Sequence, residues 1–214
     1  MLKRIIDAAA SVLLVVILSP LLITVSILVF INLGGPIFFR QQRLGLNGKP
    51  FKVLKFRTMK SECDETGALL PDEVRLTRLG KLLRKFSIDE LPSLINVLKG
   101  EMSLVGPRPQ DARFMEKCNA YQHRRHEVKP GITGWAQING RNAISWEERF
   151  ELDVWYVDNR SLLIDLKIVI MTVPLVLLAK DVTAPGHATM PAFQGTKHRP
   201  QASSRMIEFS PNQR

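Results

Sequence analysis

Ala8–Ile31 reads AAASVLLVVILSPLLITVSILVFI, and its interpretation decides the fold. It contains no charged residue. As one straight helix it would reach ~36 Å, against a bilayer hydrocarbon core of ~30 Å. Two features argue against a simple span. Ser19 and Pro20 stand near its middle, and proline there removes a backbone hydrogen bond and clashes with the preceding turn, so the helix should kink or break. Both flanks are basic: Lys3 and Arg4 precede the run, and Arg40, Arg43, Lys49, Lys52, Lys55 and Arg57 follow it. Basic flanks resist translocation. A segment that enters, turns at Ser19–Pro20 and leaves on the same side satisfies both ends, with the Ser19 hydroxyl available to a freed backbone group. A kinked span is the competing reading. A signal peptide fits worse, because the run is long and no small-residue cleavage site ends it.

The chain of 214 residues otherwise has ordinary composition, 45% hydrophobic and 23% charged, enough for one domain with a sizeable core. Its 30 Lys and Arg against 20 Asp and Glu leave a net charge of +10, which points to an anionic partner: nucleic acid, acidic lipid or a phosphorylated small molecule. The apolar run favours the last two. Cys63 and Cys118 have no metal-type spacing and read as reduced thiols.

Beyond the apolar run, Ile37 to Phe39 and Phe51 to Phe56 flank an Asn47–Gly48 turn and predict a β-hairpin. Residues 61 to 73 read as a loop. Arg75 to Phe86 predicts a basic amphipathic helix with Leu76, Leu79, Leu83 and Phe86 on one face, suited either to a lipid headgroup layer or to the core. A helix from Ile88 to Lys99 stops at Gly100. A polar helix over Asp111 to His126, a glycine-rich turn region at Pro130 to Asn142, and helices at Trp146–Asp158 and Leu162–Leu178 complete the outline. The fold class expected is α+β and predominantly helical. The divisions expected are an apolar hairpin at 1–35, a catalytic domain at 36–192 and a disordered tail at 193–214.

The chemistry concentrates in Ser87-Ile88-Asp89-Glu90-Leu91-Pro92. Ser87 with Glu90 fits a capping box, and two acids in a first helical turn need no further explanation. The same residues also suit a site. A helix N-terminus attracts phosphate and keeps a carboxylate ionised, as a nucleophile or metal ligand must be. Two carboxylates with substrate phosphates suit Mg²⁺. Lys55, Arg57 and Arg84 lie nearby in sequence, and Gly106-Pro107-Arg108-Pro109 brackets a guanidinium with two prolines, which favours a fixed phosphate contact. No GxGxxG, Walker sequence or HExxH is present. His123, His126, His187 and His198 lack metal spacing; the first two read as a solvated face. Trp135 reads as core in preference to a base-stacking platform.

The strings KFRTM, RKFSIDELPSLINVLKGEMSLVGPRP and KPGITGWAQINGRN resemble the bacterial sugar transferase family, and more narrowly its short monotopic phosphoglycosyl transferases of the PglC type. The resemblance covers nearly the whole chain, to about Ala192. It implies a re-entrant membrane helix broken at Ser19–Pro20 and a catalytic dyad of Asp89 and Glu90. It further implies Mg²⁺ held at that dyad, and functional basic residues at Lys55, Arg84, Arg108 (with Pro107 and Pro109) and Arg141. The implied reaction moves a sugar phosphate from a UDP-sugar to undecaprenyl phosphate at the cytoplasmic face of the bacterial inner membrane. It releases UMP through a phosphosugar on Asp89, and the short form points to an N-acetylated amino sugar. Ile88 and Ser93 depart from the family's usual leucine and glutamine. Two rivals remain: a membrane-anchored nucleic-acid binder, suggested by charge alone and giving no reason for Asp89–Glu90, and an inert scaffold, which the intact dyad opposes.

Overall fold

The computed structural model describes residues 1–140, 143–178, 193 and 195. Within the apolar run, α1 (Leu2–Ile17) and α2 (Ser19–Leu33) meet at Leu18 with a bend of 64°. Pro20 has no N–H to give the Val16 carbonyl, and the Ser19 hydroxyl donates to that carbonyl instead, at 2.8 Å. Thr24 and Ser26 likewise donate to Pro20 and Leu22 one turn back, so these two hydroxyls are satisfied inside α2. Among the described residues no single helix is long and apolar enough to cross a membrane; the bent pair passes that test only together.

α2 is apolar all round, yet only Val25 and Val29 are buried. They pack on Phe56 and Leu83, with Leu79 and Ile88 alongside. On the rest of the helix, Leu22 and Leu33 are partly buried against them, while Ile23, Ile27, Phe30 and Ile31 are exposed. Its C-terminal carbonyls are collected by one side chain. Arg57 donates to Leu33, to Gly34 at 3.2 Å and to Gly35 at 3.0 Å.

The expected hairpin is present as β1 (Phe38–Leu44) against β2 (Pro50–Phe56), from Phe38 opposite Phe56 to Leu44 opposite Pro50. Asn47 and Gly48 take the two positive-φ positions of the turn. The strands run further than the apolar residues indicated, because Arg40 to Arg43 continue β1.

Several expected helices are interrupted. Residues 75–86 do not form one helix: α3 (Asp72–Arg75) ends, Leu76 turns extended and bridges Met59, and Thr77 caps α4 (Arg78–Lys85) by accepting from the Gly80 N–H at 2.9 Å. A Cβ on Gly80 would lie 2.1 Å from the Thr58 carbonyl oxygen, so a glycine is needed there. Residues 88–99 divide into a 3-10 segment, Ile88–Ser93, and α5 (Leu94–Lys99), stopped by Gly100 at φ 83°. The capping box expected at Ser87 is absent. Ser87 sits at φ 53° and caps nothing, and the Glu90 carboxylate is engaged elsewhere. The parallel pair β3 (Ser103–Val105) and β4 (Gly131–Thr133) was not foreseen. Between them the polar stretch is a 3-10 turn at Ala112–Lys117, then α6 (Ala120–His123), then another 3-10 turn at Arg124–Glu127. α7 (Trp135–Ile138) follows β4; α8 (Trp146–Asn159) and α9 (Leu162–Leu177) lie where expected. Trp135 is core: it stacks on Trp155 with centroids 4.4 Å apart, beside Val105, Tyr156 and Ile168. The expected disordered tail lies outside the described residues apart from 193 and 195.

α1 is fastened at its start. Arg4 donates to the carbonyls of Val97 and Leu98 at the end of α5, where a cation also suits the helix dipole. Lys3 pairs with Asp165 of α9 at 2.6 Å, Asp165 accepts from the Tyr156 hydroxyl at 2.6 Å, and Asp7 accepts from Ser103 at 2.8 Å. The basic pair that read as a topology signal therefore also ties the first helix to the domain.

Candidate active site

The dyad is set by how its 3-10 segment docks on β2. Ser93 donates to the Leu54 carbonyl at 3.0 Å; Asn96 accepts from the Leu54 N–H at 3.0 Å and donates to Lys52 at 2.8 Å. Both side chains are buried. They complete the edge of β2 that the hairpin leaves unpaired, which fixes register as well as position. Ser93 departs from the family's usual glutamine, and here its hydroxyl seats the segment that carries the dyad.

Glu90 is clamped. Its Oε1 accepts from Lys55 at 2.7 Å and from one Arg108 nitrogen at 2.6 Å, and its Oε2 accepts from the other at 3.1 Å. This is the two-pronged guanidinium–carboxylate geometry that resists rotation. Burial alone would push the Glu90 carboxyl up. Arg108 and Lys55 outweigh it and hold the group well below the usual carboxylate range. Asp89, its neighbour, has no hydrogen bond or ion pair among the described residues and is 8% exposed. Burial, and then the Glu90 charge, push it up to about 6, against the pull of Lys55, Arg84 and Arg108. Adjacent carboxylates thus differ sharply: one is ionised and spent on cations, the other is open and close to titration at neutral pH.

The basic residues come from separate elements. Lys55 lies on β2. Arg84 is on α4, its Nε 3.1 Å from the Thr58 hydroxyl. Arg108 follows β3, with the Pro107 carbonyl accepting from Gly131 at 2.9 Å and its own carbonyl accepting from Arg125 at 2.7 Å. Arg125 is in turn paired with Asp153 of α8 at 2.7 Å, both side chains almost wholly buried. Pro109 is half-buried behind this support. The structure therefore brings Lys55, Arg84, Asp89, Glu90 and Arg108 together. Arg141 lies outside the described residues.

Arg125 escaped the sequence reading because residues 111–126 looked like one polar helix, and Asp153 because nothing near it along α8 marks it. His126 belongs to the same correction. It is half-buried, and burial and the Arg125 charge lower its pKa to about 4, so it is neutral and not a solvated cation.

The donor set can be compared with Mg²⁺. Among the described residues no cluster of three or more His, Cys, Asp or Glu side chains forms a protein cage. The open Asp89 carboxylate and an acceptor position remaining on Glu90, which has about four and uses three, fit an ion that keeps most of its other ligands as water and phosphate.

The chain is similar to several known proteins. The chain is 55% identical over 195 residues to an uncharacterized sugar transferase, EpsL, of Bacillus subtilis (strain 168), covering 91% of this chain and 96% of that one. It is 42% identical over 184 residues to the UDP-glucose:undecaprenyl-phosphate glucose-1-phosphate transferase of Escherichia coli (strain K12), covering 81% of this chain but 39% of that longer protein. It is 38% identical over 183 residues to a UDP-N-acetylgalactosamine-undecaprenyl-phosphate N-acetylgalactosaminephosphotransferase of Aeromonas hydrophila, covering 82% and 43%. The family model described as bacterial sugar transferase matches residues 1–179, and the chain belongs to that family.

Proposed function

We propose that this chain transfers a sugar 1-phosphate from a UDP-sugar to undecaprenyl phosphate, with Asp89 as the nucleophile. The observation that carries the reading is the asymmetry of the dyad: an unengaged Asp89 beside a Glu90 that Lys55 and Arg108 hold in place. An Asp89 oxygen bonds to the β-phosphorus, the bridging P–O bond breaks, and the electron pair leaves with UMP. An oxygen of the polyprenyl phosphate then bonds to the same phosphorus and Asp89 departs with its electrons. Two steps at one nucleophile divide an exchange between two anions. Glu90 anchors the cations that face the phosphates, and Arg84 and Arg108 supply charge where it develops. Mg²⁺, held by Asp89, Glu90 and substrate oxygens, would neutralise phosphate charge.

The bent α1–α2 pair is read as re-entrant, with Met1 and the catalytic domain on the cytoplasmic face of the bacterial inner membrane. The exposed apolar surface of both helices and of α9 supports this. The sugar proposed is an N-acetylated amino sugar. The similar proteins' names cover both glucose and N-acetylgalactosamine, so comparison with a UDP-hexose is the informative one.

The test is UMP release by the full chain in nanodiscs, with a panel of UDP-sugars and undecaprenyl phosphate. In the absence of acceptor, labelled sugar phosphate should remain on the protein at Asp89. Asp89→Asn should abolish both signals; substantial turnover by that variant would defeat the assignment.

A further inference from the structure

Arg43 occupies an unusual position. In the β1–β2 register it lies opposite Phe51, which places it on the same face of the ribbon as Val53 and Lys55. The Leu44 N–H donates to the Gln110 carbonyl at 2.9 Å, which brings this end of β1 beside the loop carrying Arg108. The Arg43 side chain is half-buried and makes no hydrogen bond or ion pair among the described residues. The acids near it are taken. Asp111 is bridged by its own neighbour Arg113 at 3.0 and 3.1 Å, and Glu90 serves Lys55 and Arg108. Burial, and then the charge of Arg108, lower the Arg43 pKa from its ordinary value. Arg149, buried on α8 one turn before Asp153, feels the same field: burial and Arg108 bring it to about 10.

Arg43 of β1 and Arg108 of the loop after β3 thus lie near one another, and because Glu90 is engaged by Arg108 and Lys55, Arg43 is left without a carboxylate of its own. Uncompensated charge of this kind is costly away from water, and a phosphate relieves it with strong charge-assisted hydrogen bonds.

We propose that Arg43, beside Arg108, forms a second anion subsite that receives the phosphate of the departing nucleotide. This rests on the displacement at Asp89 described above. In-line attack puts the leaving oxygen on the side of phosphorus opposite the nucleophile. The acceptor attacks the phosphosugar from that same side, so its phosphate takes the place that UMP vacates. One subsite serves both half-reactions.

The test uses the full chain in nanodiscs. UMP and uridine are titrated by calorimetry into wild type, Arg43→Gln and Arg43→Lys, with thermal unfolding as the control for folding. Loss of one charge-assisted contact should weaken UMP about tenfold in the Gln variant. Uridine, which lacks phosphate, should bind wild type and variant alike, and Lys should recover part of the loss. Steady-state KM for donor and for polyprenyl phosphate should rise together in the Gln variant, with kcat less affected. Unchanged UMP affinity would overturn the subsite, and an unchanged acceptor KM would overturn its shared use. If Gln unfolds the chain, the Lys variant carries the comparison, and UMP affinity and acceptor KM both equal to wild type would count against the proposal. UMP binding does not depend on turnover. A wild type that binds UMP through Arg43 yet forms no adduct at Asp89 would defeat the displacement and leave the subsite standing.

Discussion

Asp89→Asn should make the protein more stable as well as inactive, and the gain should depend on pH. Folding raises the Asp89 carboxyl from 3.8 to about 6, with burial the largest cause. The folded state therefore binds that proton more tightly than the unfolded chain does. The associated stability is full below about pH 4 and is lost as pH rises through about 6. About two pKa units at ~1.36 kcal/mol each give ~3 kcal/mol lost by pH 8. Little screening applies, because Asp89 is 8% exposed. Asparagine has the same shape and never ionises. In a chain of this size ~1 kcal/mol moves the unfolding midpoint by about 2–4 °C. The variant should thus melt roughly 6–12 °C above wild type at pH 8, and the two curves should converge at pH 4. Thermal unfolding in one membrane mimic across that range is the assay. An equal or lower midpoint for the variant at pH 8, or an advantage that persists at pH 4, would show that the site does not store the charge in this way.

Three further outcomes are expected. Because Asp89 must be ionised to attack, kcat/KM of the wild type should rise through about pH 6. Glu90→Gln removes the second-largest influence holding that carboxyl up, so the acid limb should move to lower pH while turnover falls; an unmoved limb would refute the coupling. Pro20→Ala restores the missing N–H and should let α1 and α2 straighten. A cysteine near residue 2 should then become reactive to an impermeant thiol reagent from the periplasmic side, whereas in wild type it is protected; periplasmic labelling of wild type would defeat the hairpin. Gly80→Ala places a Cβ 2.1 Å from the Thr58 carbonyl oxygen and should destabilise the fold by about 1–3 kcal/mol while displacing Arg84; an unchanged unfolding midpoint would refute that packing argument.

What could be read from the sequence was whatever depends on neighbours along the chain. The break at Ser19–Pro20 follows from one missing N–H, the hairpin turn from Asn47–Gly48, and the end of α5 from Gly100. The failures came where distant residues decide. Ser87 and Glu90 have capping-box spacing, but Lys55 and Arg108 claim the Glu90 carboxylate more strongly than a free N–H would, and the segment becomes 3-10. Leu76 belongs to a helical periodicity, yet pairing with Met59 draws it out. β3 and β4 are three residues each, too short for alternation to register. Arg125 and Asp153 look solvated in any local window, and only the fold shows them buried against each other and under Arg108. At the site, the grouping of Asp89, Glu90 and cations was legible. The division of labour between the two acids was not, because it depends on which one the cations reach.

The contact between Lys3 and Asp165 spans 162 positions of the chain. A ribosome adds about 5–20 residues each second, so the partner of the first helix emerges roughly 8–30 s after it. Through the whole of that interval α1 lacks Asp165; β2 and α4, and then the α5 carbonyls 93 and 94 positions after Arg4, are made sooner. The apolar pair of helices is thus made well before its last tether. Its safe storage becomes a problem of synthesis, met by whatever surface takes up the nascent helices. The Lys3–Asp165 pair then ties the first helix to α9, through the partner that is made last among its described contacts.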